Sequence, residues 1–491
     1  MKLRGFLHSR AFWGFLAAVG LMLHLLAAQP LYTTGDRLLA WVLLAMSLGT
    51  AFNYFKDSAG KVPLLPLASL QIYVMYGMAQ FTQKDILIGA EWYSPPASAI
   101  HHTMILIVIG EIGLLLMFKA GRQISQRWKR SWSTIYPSSL ERTKSGAAVY
   151  GLLGMAWYFV QSTQESLVPI EIRNIMQTVF NPYLALVLVL YWAYHGKGRR
   201  FRSLGLILVC VMAFSGLLSG MLEIILVPIY LLILTDWIWG YTLKTKLIAA
   251  SLLFFVILSP VKYHYRELAL DAPPVQSVST LLYRLSLWKD AAKKTWEDPF
   301  AKEKSIEAAS SRTSALLSMA QVVDWVPERV PYKRGDGVVT SLFYWVPRIV
   351  WRNKPSISDL INNRYALTFG YSTPESIRTS TIGICQPADG YWDFGAWGSI
   401  GYMMIYGTLL GLLFGETGKA NPVATILVIV FSASFFQNLA SLQFLIASLF
   451  SLLVGAWIAL QGLGIVNLLL RRNSGRPKNP RVRPVLYKEK E

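Results

Sequence analysis

Two short stretches hold most of the side chains in this chain that could do chemistry. In Trp345-Val-Pro-Arg-Ile-Val-Trp-Arg-Asn-Lys-Pro355, three cations, Arg348, Arg352 and Lys354, sit between aromatic residues. Arg348 and Arg352 are four apart, which puts them on one face of a continuing helix. A guanidinium pair matches phosphate oxygens, so it suits an anionic lipid headgroup or a pyrophosphate. Tryptophan beside arginine is also common wherever a protein meets the membrane surface. In Gln386-Pro-Ala-Asp-Gly-Tyr-Trp-Asp-Phe-Gly395, Asp389 and Asp393 bracket Tyr391 and Trp392. Carboxylates there could take a proton from a sugar hydroxyl while the rings stack on sugar faces. A turn with a helix cap would use the same residues. Two further acids, Glu111 and Glu223, fall in apolar runs, one near the middle and one near the outer end. Such acids face a cavity or a partner, or stay protonated. His101 and His102 are adjacent, cannot share a helical face, and make a poor metal site.

Several signatures are missing. The chain has no phosphate-binding P-loop, HExxH, paired CxxC or GxSxG, and no DxD of the kind that holds a metal-bound diphosphate. ATP-driven transport by this chain alone is therefore not expected, nor is a metal or other cofactor.

The elements that must position these groups are mostly apolar. Of 491 residues, 54% are hydrophobic and 15% charged, with mean hydropathy +0.40. Soluble chains carry roughly 25% charged residues, so the deficit predicts an all-α polytopic membrane protein. Runs of spanning length lie at 11–28, 38–55, 63–81, 103–118, 145–160, 179–194, 203–220, 222–240, 246–261, 395–414, 422–440 and 443–470. That is about twelve spans. Residues 1–28 have a basic start and an apolar core, but the poor cleavage pattern after Leu26 predicts a retained first span. With the N-terminus cytoplasmic, the cytoplasmic segments hold about +22, the outside segments about +1, and Glu111, Glu223 and Asp236 in the spans bring the total to the net +20. The basic residues then anchor topology beside anionic lipid, and nucleic acid is not expected as a partner. Cys210 and Cys385 are too far apart in this topology to pair.

This organisation divides the chain into spans one to nine (1–261), an outer loop (262–394), spans ten to twelve (395–470) and a basic cytoplasmic tail (471–491). A loop so long is uncommon without a function. From Glu307 to Trp325, residues Arg312, Leu316, Met319 and Val323 share one helical face. After the Gly335-Asp336-Gly337 turn, Val338–Val346 forms a second apolar helix that Pro347 ends or kinks. Ser356 and Asp359 make a capping box for a third, running through Asn363. The loop is expected to be a set of short amphipathic helices forming a lid over the membrane domain.

The loop resembles the bacterial oligosaccharide repeat-unit polymerases, the Wzy-type O-antigen and exopolysaccharide polymerases. The resemblance rests on Arg312-Thr-Ser, the Gly337 segment, Val-Pro-Arg348 through Lys354-Pro355, Ser372-Thr-Pro, and Asp393-Phe-Gly395 with Gly398 opening a span. It covers about a quarter of the chain. Two positions depart from it: Gln386 and then Asp389 stand where an acid is expected, and Asp393 where asparagine is usual. The resemblance implies a metal-independent, inverting glycosyltransferase of the bacterial inner membrane. Donor and acceptor would be undecaprenyl-pyrophosphate-linked glycans, met at the periplasmic face. It implies that Arg312 and Arg348 neutralise the pyrophosphate and that Asp389 or Asp393 assists the attacking hydroxyl. Arg352, Lys354, Arg378, Tyr391 and Glu223 would bind substrate. Flippase and chain-length regulator proteins would be partners, beside membrane lipid. The alternatives are an O-antigen ligase-type transferase, a transporter such as a flippase, and a scaffold in polysaccharide export.

Overall fold

The structure is a computed structural model. It describes residues 9–57, 60–82, 85–88, 91–135, 144–163, 176, 179–195, 199–240, 245–269, 272–273, 277–298, 315–336, 338, 346, 351, 353–354, 359–375, 377, 383–418, 421–436 and 441–473. A helix stands at each of the twelve apolar runs: α1 Arg10–Ala27, α2 Thr34–Asp57, α3 Leu64–Ile72, α4 Ala97–Ile135, α5 Lys144–Thr163, α6 Pro182–His195, α7 Arg199–Ser219, α8 Leu222–Gly240, α9 Thr245–Ala269, α13 Gln386–Glu416, α14 Pro422–Ser432 and α15 Leu442–Asn473. Among the described residues, three α-helices lie between α9 and α13: α10 Val278–Glu297, α11 Leu316–Trp325 and α12 Arg364–Thr368. The described strands are a short antiparallel pair, β1 Ile86–Ile88 and β2 Glu91–Tyr93. Among the described residues, seven helices are long and apolar enough to cross a membrane. Helices in α5, α6, α8 and α14 are apolar but shorter. The chain is thus an almost wholly helical membrane protein.

The centre of the molecule is the pair α4 and α13. Gly407, Gly411 and Gly415 recur every fourth residue, so they form one bare stripe on α13. A Cβ on Gly407 would strike the carbonyl of Leu114, and one on Gly411 that of Phe118. One on Gly415 would strike the Ser125 side chain. Small residues at this spacing let two backbones touch, which maximises dispersion contact where lipid supplies no hydrophobic drive. Residue numbers rise together along the contact, from Gly110 against Met403 to Ser125 against Gly415, so the two helices run in the same direction.

Two expectations change here. The apolar run 103–118 predicts a helix of bilayer length, but α4 has 39 residues and is ~58 Å long at 1.5 Å per residue. No proline interrupts it before Pro137, so the basic stretch from Lys119 stays helical and projects past an apolar layer about 30 Å thick. Arg122 and Lys61 then lie over the Phe414 ring, at 5.4 and 4.9 Å from its centroid.

The second change is in the loop. Helix α11 is not an amphipathic cover. From Leu316 to Val323 only Ser318 escapes full burial, because α11 packs against both α4 and α13. Its N-cap is tied to the wide turn Tyr73–Gly77 that follows α3, through Ala315 N donating to Met75 O at 3.0 Å, and Gln321 Nε2 donates to Phe369 O at 3.1 Å. The expected face of Leu316, Met319 and Val323 is buried, while Arg312 lies outside the described residues. Val338–Val346 is described only at residues 338 and 346. The third helix runs past Asn363 through a wide turn, Asp359–Asn363, to Thr368, and ends before Gly370 at φ +77°. Its cap Ser356 lies outside the described residues.

Helix α10 has no counterpart in the sequence reading. Ser277 and Thr280 cap it reciprocally, and it packs on α9 through Val261, Tyr265, Leu287 and Ala291.

Candidate active site

Helix α13 is two helices joined by a kink at Phe394 (φ −141°, ψ 22°) and Gly395 (φ 65°, ψ −148°). The left-handed conformation at Gly395 suits a residue without Cβ. Beyond it the chain reverses. Gln386 Nε2 donates to Tyr402 O at 2.7 Å, and the backbones of Gly390 and Gly398 leave no room for a Cβ on either. The first two turns therefore fold back along residues 396–402 as a tight helical hairpin. Asp389 and Asp393, which the sequence allows as sugar-facing carboxylates or as a turn with a helix cap, lie in this buried hairpin. Asp389 is 0% exposed and Asp393 1%.

Both carboxylates meet a residue that the sequence reading passed over. Lys333 Nζ forms an ion pair with Asp389 and lies 3.6 Å from Asp393 Oδ2. Its own backbone N donates to Trp392 O at 3.0 Å, and its ammonium lies 4.5 Å from the centroid of the Trp392 ring. Asp393 is further bound by Gly335 N, donating to Oδ1 at 3.0 Å, and by Tyr402 OH, donating to Oδ2 at 2.6 Å. Arg334 (φ 57°) and Gly335 (φ 78°) are both left-handed, which curls the chain so that the Gly335 N–H points at the carboxylate. A Cβ on Gly335 would also come within 2.9 Å of Phe394 Cζ. Burying two carboxylates with one ammonium is tolerable only because hydrogen bonds serve most of the oxygens. Asp389 Oδ2 is the exception, buried without a partner.

Around this node the rim is basic and aromatic. Arg364 pairs with Asp336 at 2.6 Å and lies 5.8 Å from the Trp392 ring centroid. Tyr332, Phe394 and Trp397 are exposed at the tip of the hairpin. Beneath the rim, Trp325, Tyr365, Phe369 and Trp392 stack edge and face. Tyr93 OH donates to Asp324 Oδ2 at 2.5 Å. Burial, aided by that carboxylate, pushes the Tyr93 phenol up to about 12, so it stays a donor at neutral pH. Burial likewise raises the Tyr365 phenol well above its ordinary range.

Of the residues expected at the site, Asp389, Asp393 and Tyr391 come together on the hairpin, with Tyr391 edge-on to His102 at 6.3 Å. Lys354 Nζ donates to Val346 O at 3.0 Å. Arg312, Arg348, Arg352 and Arg378 lie outside the described residues. Glu223 is the second residue of α8. The remaining intramembrane acid, Glu111, is buried and accepts from Ser69 Oγ. Among the described residues no cluster of three or more His, Cys, Asp or Glu could hold a metal ion. No motif marks Lys333 in the sequence, since its partners are more than fifty residues away. The four-residue glycine spacing of α13 was readable and would have located the helix contact.

Residues 152–471, more than half of the chain, match the family DUF8712, a domain of unknown function. The chain belongs to this family. The matched region contains the hairpin, Lys333 and α11. No curated protein and no solved structure matches the chain.

Proposed function

We propose that this DUF8712 protein is a membrane glycosyltransferase that polymerises polyprenyl-pyrophosphate-linked repeat units at the outer face of the inner membrane. The observation carrying this reading is the basic and aromatic rim, with Arg364, Tyr332, Phe394 and Trp397 exposed, that the buried cluster of Asp389, Asp393 and Lys333 holds around the helical hairpin. Sugar-binding sites need exposed rings, and a pyrophosphate needs cations near the lipid boundary. Arg334 and Arg364 contribute cations from the described part of the rim. Arg312 and Arg348 would neutralise the leaving pyrophosphate, where charge builds in the transition state. Arg352, Lys354, Arg378, Tyr391 and Glu223 are assigned to substrate binding. Asp393, with two hydrogen-bond donors and the Lys333 ammonium at 3.6 Å, positions the loop rather than receiving a proton, and Asp389 is sealed behind Lys333.

The test is a gel of surface polysaccharide from a strain lacking the gene. A ladder collapsed to one repeat, restored by wild type and not by Arg348→Ala at equal abundance, supports the polymerase. Full-length polymer left unattached assigns a ligase-type transferase instead. An unchanged ladder overturns the reading.

A further inference from the structure

That reading leaves unused a second polar node, at the N-terminal ends of α2 and α4. Thr33 and Asp36 cap α2: Thr33 N and Oγ1 donate to Asp36 Oδ2 at 2.9 and 2.7 Å, and Asp36 N donates back to Thr33 Oγ1 at 3.2 Å. Gln80 Nε2 holds the Asp36 carbonyl at 2.8 Å, and Arg37 clamps the carbonyls of Tyr32 and Leu25. The frame is therefore rigid. The carboxylate is 1% exposed, and its second oxygen, Oδ1, lies 2.7 Å from His101 Nδ1.

A carboxylate only accepts, so the ring donates from Nδ1 and keeps its basic lone pair on Nε2. The His101 side chain is 47% exposed, and no described residue is hydrogen-bonded to Nε2. A buried acid orienting a histidine whose other nitrogen is open is the arrangement that general-base catalysis requires.

Helix register brings this nitrogen to the level of the hairpin. Helices α4 and α13 run in the same direction, with Gly110 on Met403 and Leu114 on Gly407. Following that register two turns back sets His101 and His102 level with Phe394 and Gly395. The edge-on contact of His102 with Tyr391 agrees with this placement.

We propose that Asp36 and His101 form a general-base dyad that accepts the proton of the attacking sugar hydroxyl. The proposal rests on the transferase reading. In the step, the hydroxyl oxygen bonds to the anomeric carbon of the donor as the bond from that carbon to the pyrophosphate oxygen breaks. The bonding pair leaves with the pyrophosphate. The hydroxyl proton moves to His101 Nε2, and the Asp36 carboxylate stabilises the imidazolium until water takes the proton. This assigns Asp389 and Asp393 to holding Lys333, and the proton to a group that can release it.

His101→Asn separates this role from a purely structural tie, because its amide nitrogen reaches Asp36 in place of Nδ1 while nothing replaces Nε2. The deletion strain is complemented with wild type, His101→Asn or Asp36→Asn, and polymer is compared at equal membrane abundance. His101→Asn is expected to lower polymer formation by about 10²-fold or more, the range of a lost general base, with Asp36→Asn also impaired. A normal ladder with His101→Asn overturns the dyad and leaves the transferase reading standing. A deletion strain with an unchanged ladder overturns the transferase reading itself. Should the variants not accumulate, wild-type membrane vesicles carrying their own lipid-linked repeat units are treated with diethyl pyrocarbonate. Loss of chain extension must follow acylation of His101, located by mass spectrometry and reversed by hydroxylamine. Extension that persists with His101 fully acylated overturns the proposal.

Discussion

Two polar nodes lie at the level where His102 meets Tyr391, and they are built on opposite plans. At the hairpin, Lys333, Asp389 and Asp393 are closed off by Trp392, Gly335 and Tyr402. At the start of α4, Asp36 is equally buried, but its partner His101 stays half in the open. A charge cluster sealed on all sides contributes position. One with a single accessible nitrogen can exchange protons. The difference lies less in residue type than in which side of each carboxylate the backbone has already occupied.

That contrast can be broken most forcefully at Lys333. Lys333→Met leaves two buried carboxylates without their cation, and removing one partner of a buried pair costs about 3–5 kcal/mol. Thermal unfolding of the detergent-solubilised protein should show a large loss of stability, partly recovered by adding Asp389→Asn. A sealed node predicts this recovery; an open, hydrated one would show neither effect. Next, Tyr402→Phe removes a donor to Asp393 inside the hairpin. The expected loss is about 1.5–3 kcal/mol, the range for hydrogen bonds to charged groups. The hairpin depends in turn on the contact of α13 with α4. Gly411→Leu forces that contact apart at the Phe118 carbonyl, for a loss of about 1–3 kcal/mol. On α10, Trp288→Phe keeps a ring stacked on Tyr265 but loses the bond from Nε1 to Leu217 O at 2.9 Å, about 0.5–1.5 kcal/mol. His101→Asn completes the series with a stability change within about 0.5 kcal/mol, as for other exposed side chains. A stability loss at His101 as large as that at Lys333 would erase the distinction between the two nodes.

Much of the scaffold is legible in the residues. A run such as 103–118 cannot face water at length, so a helix there follows from composition. Asp389 and Asp393 stand out as acids beside aromatic rings. Their setting is another matter. The sequence leaves these acids equally able to face a sugar or to form a turn with a helix cap. In the fold Gly390 lets its backbone touch that of Gly398, and Gly395 supplies the left-handed conformation at the reversal. The amphipathic pattern of 316–325 similarly suggests a cover over the membrane domain. Helix α11 becomes core because α4 and α13 enclose it from two sides. His101 looks like half of a poor metal pair until Asp36, sixty-five residues earlier, is seen at 2.7 Å.

Local physics therefore determined the helices of this protein, their apolar faces and the types of group gathered near the hairpin. Hydropathy and capping act over a few residues, and a sequence displays them directly. Only the tertiary structure decided that Lys333 lies between two aspartates and that Asp36 orients His101. Both pairings join residues far apart in the chain. One pair joins the loop to α13 and the other joins α2 to α4, and no local pattern encodes which distant group will meet each carboxylate.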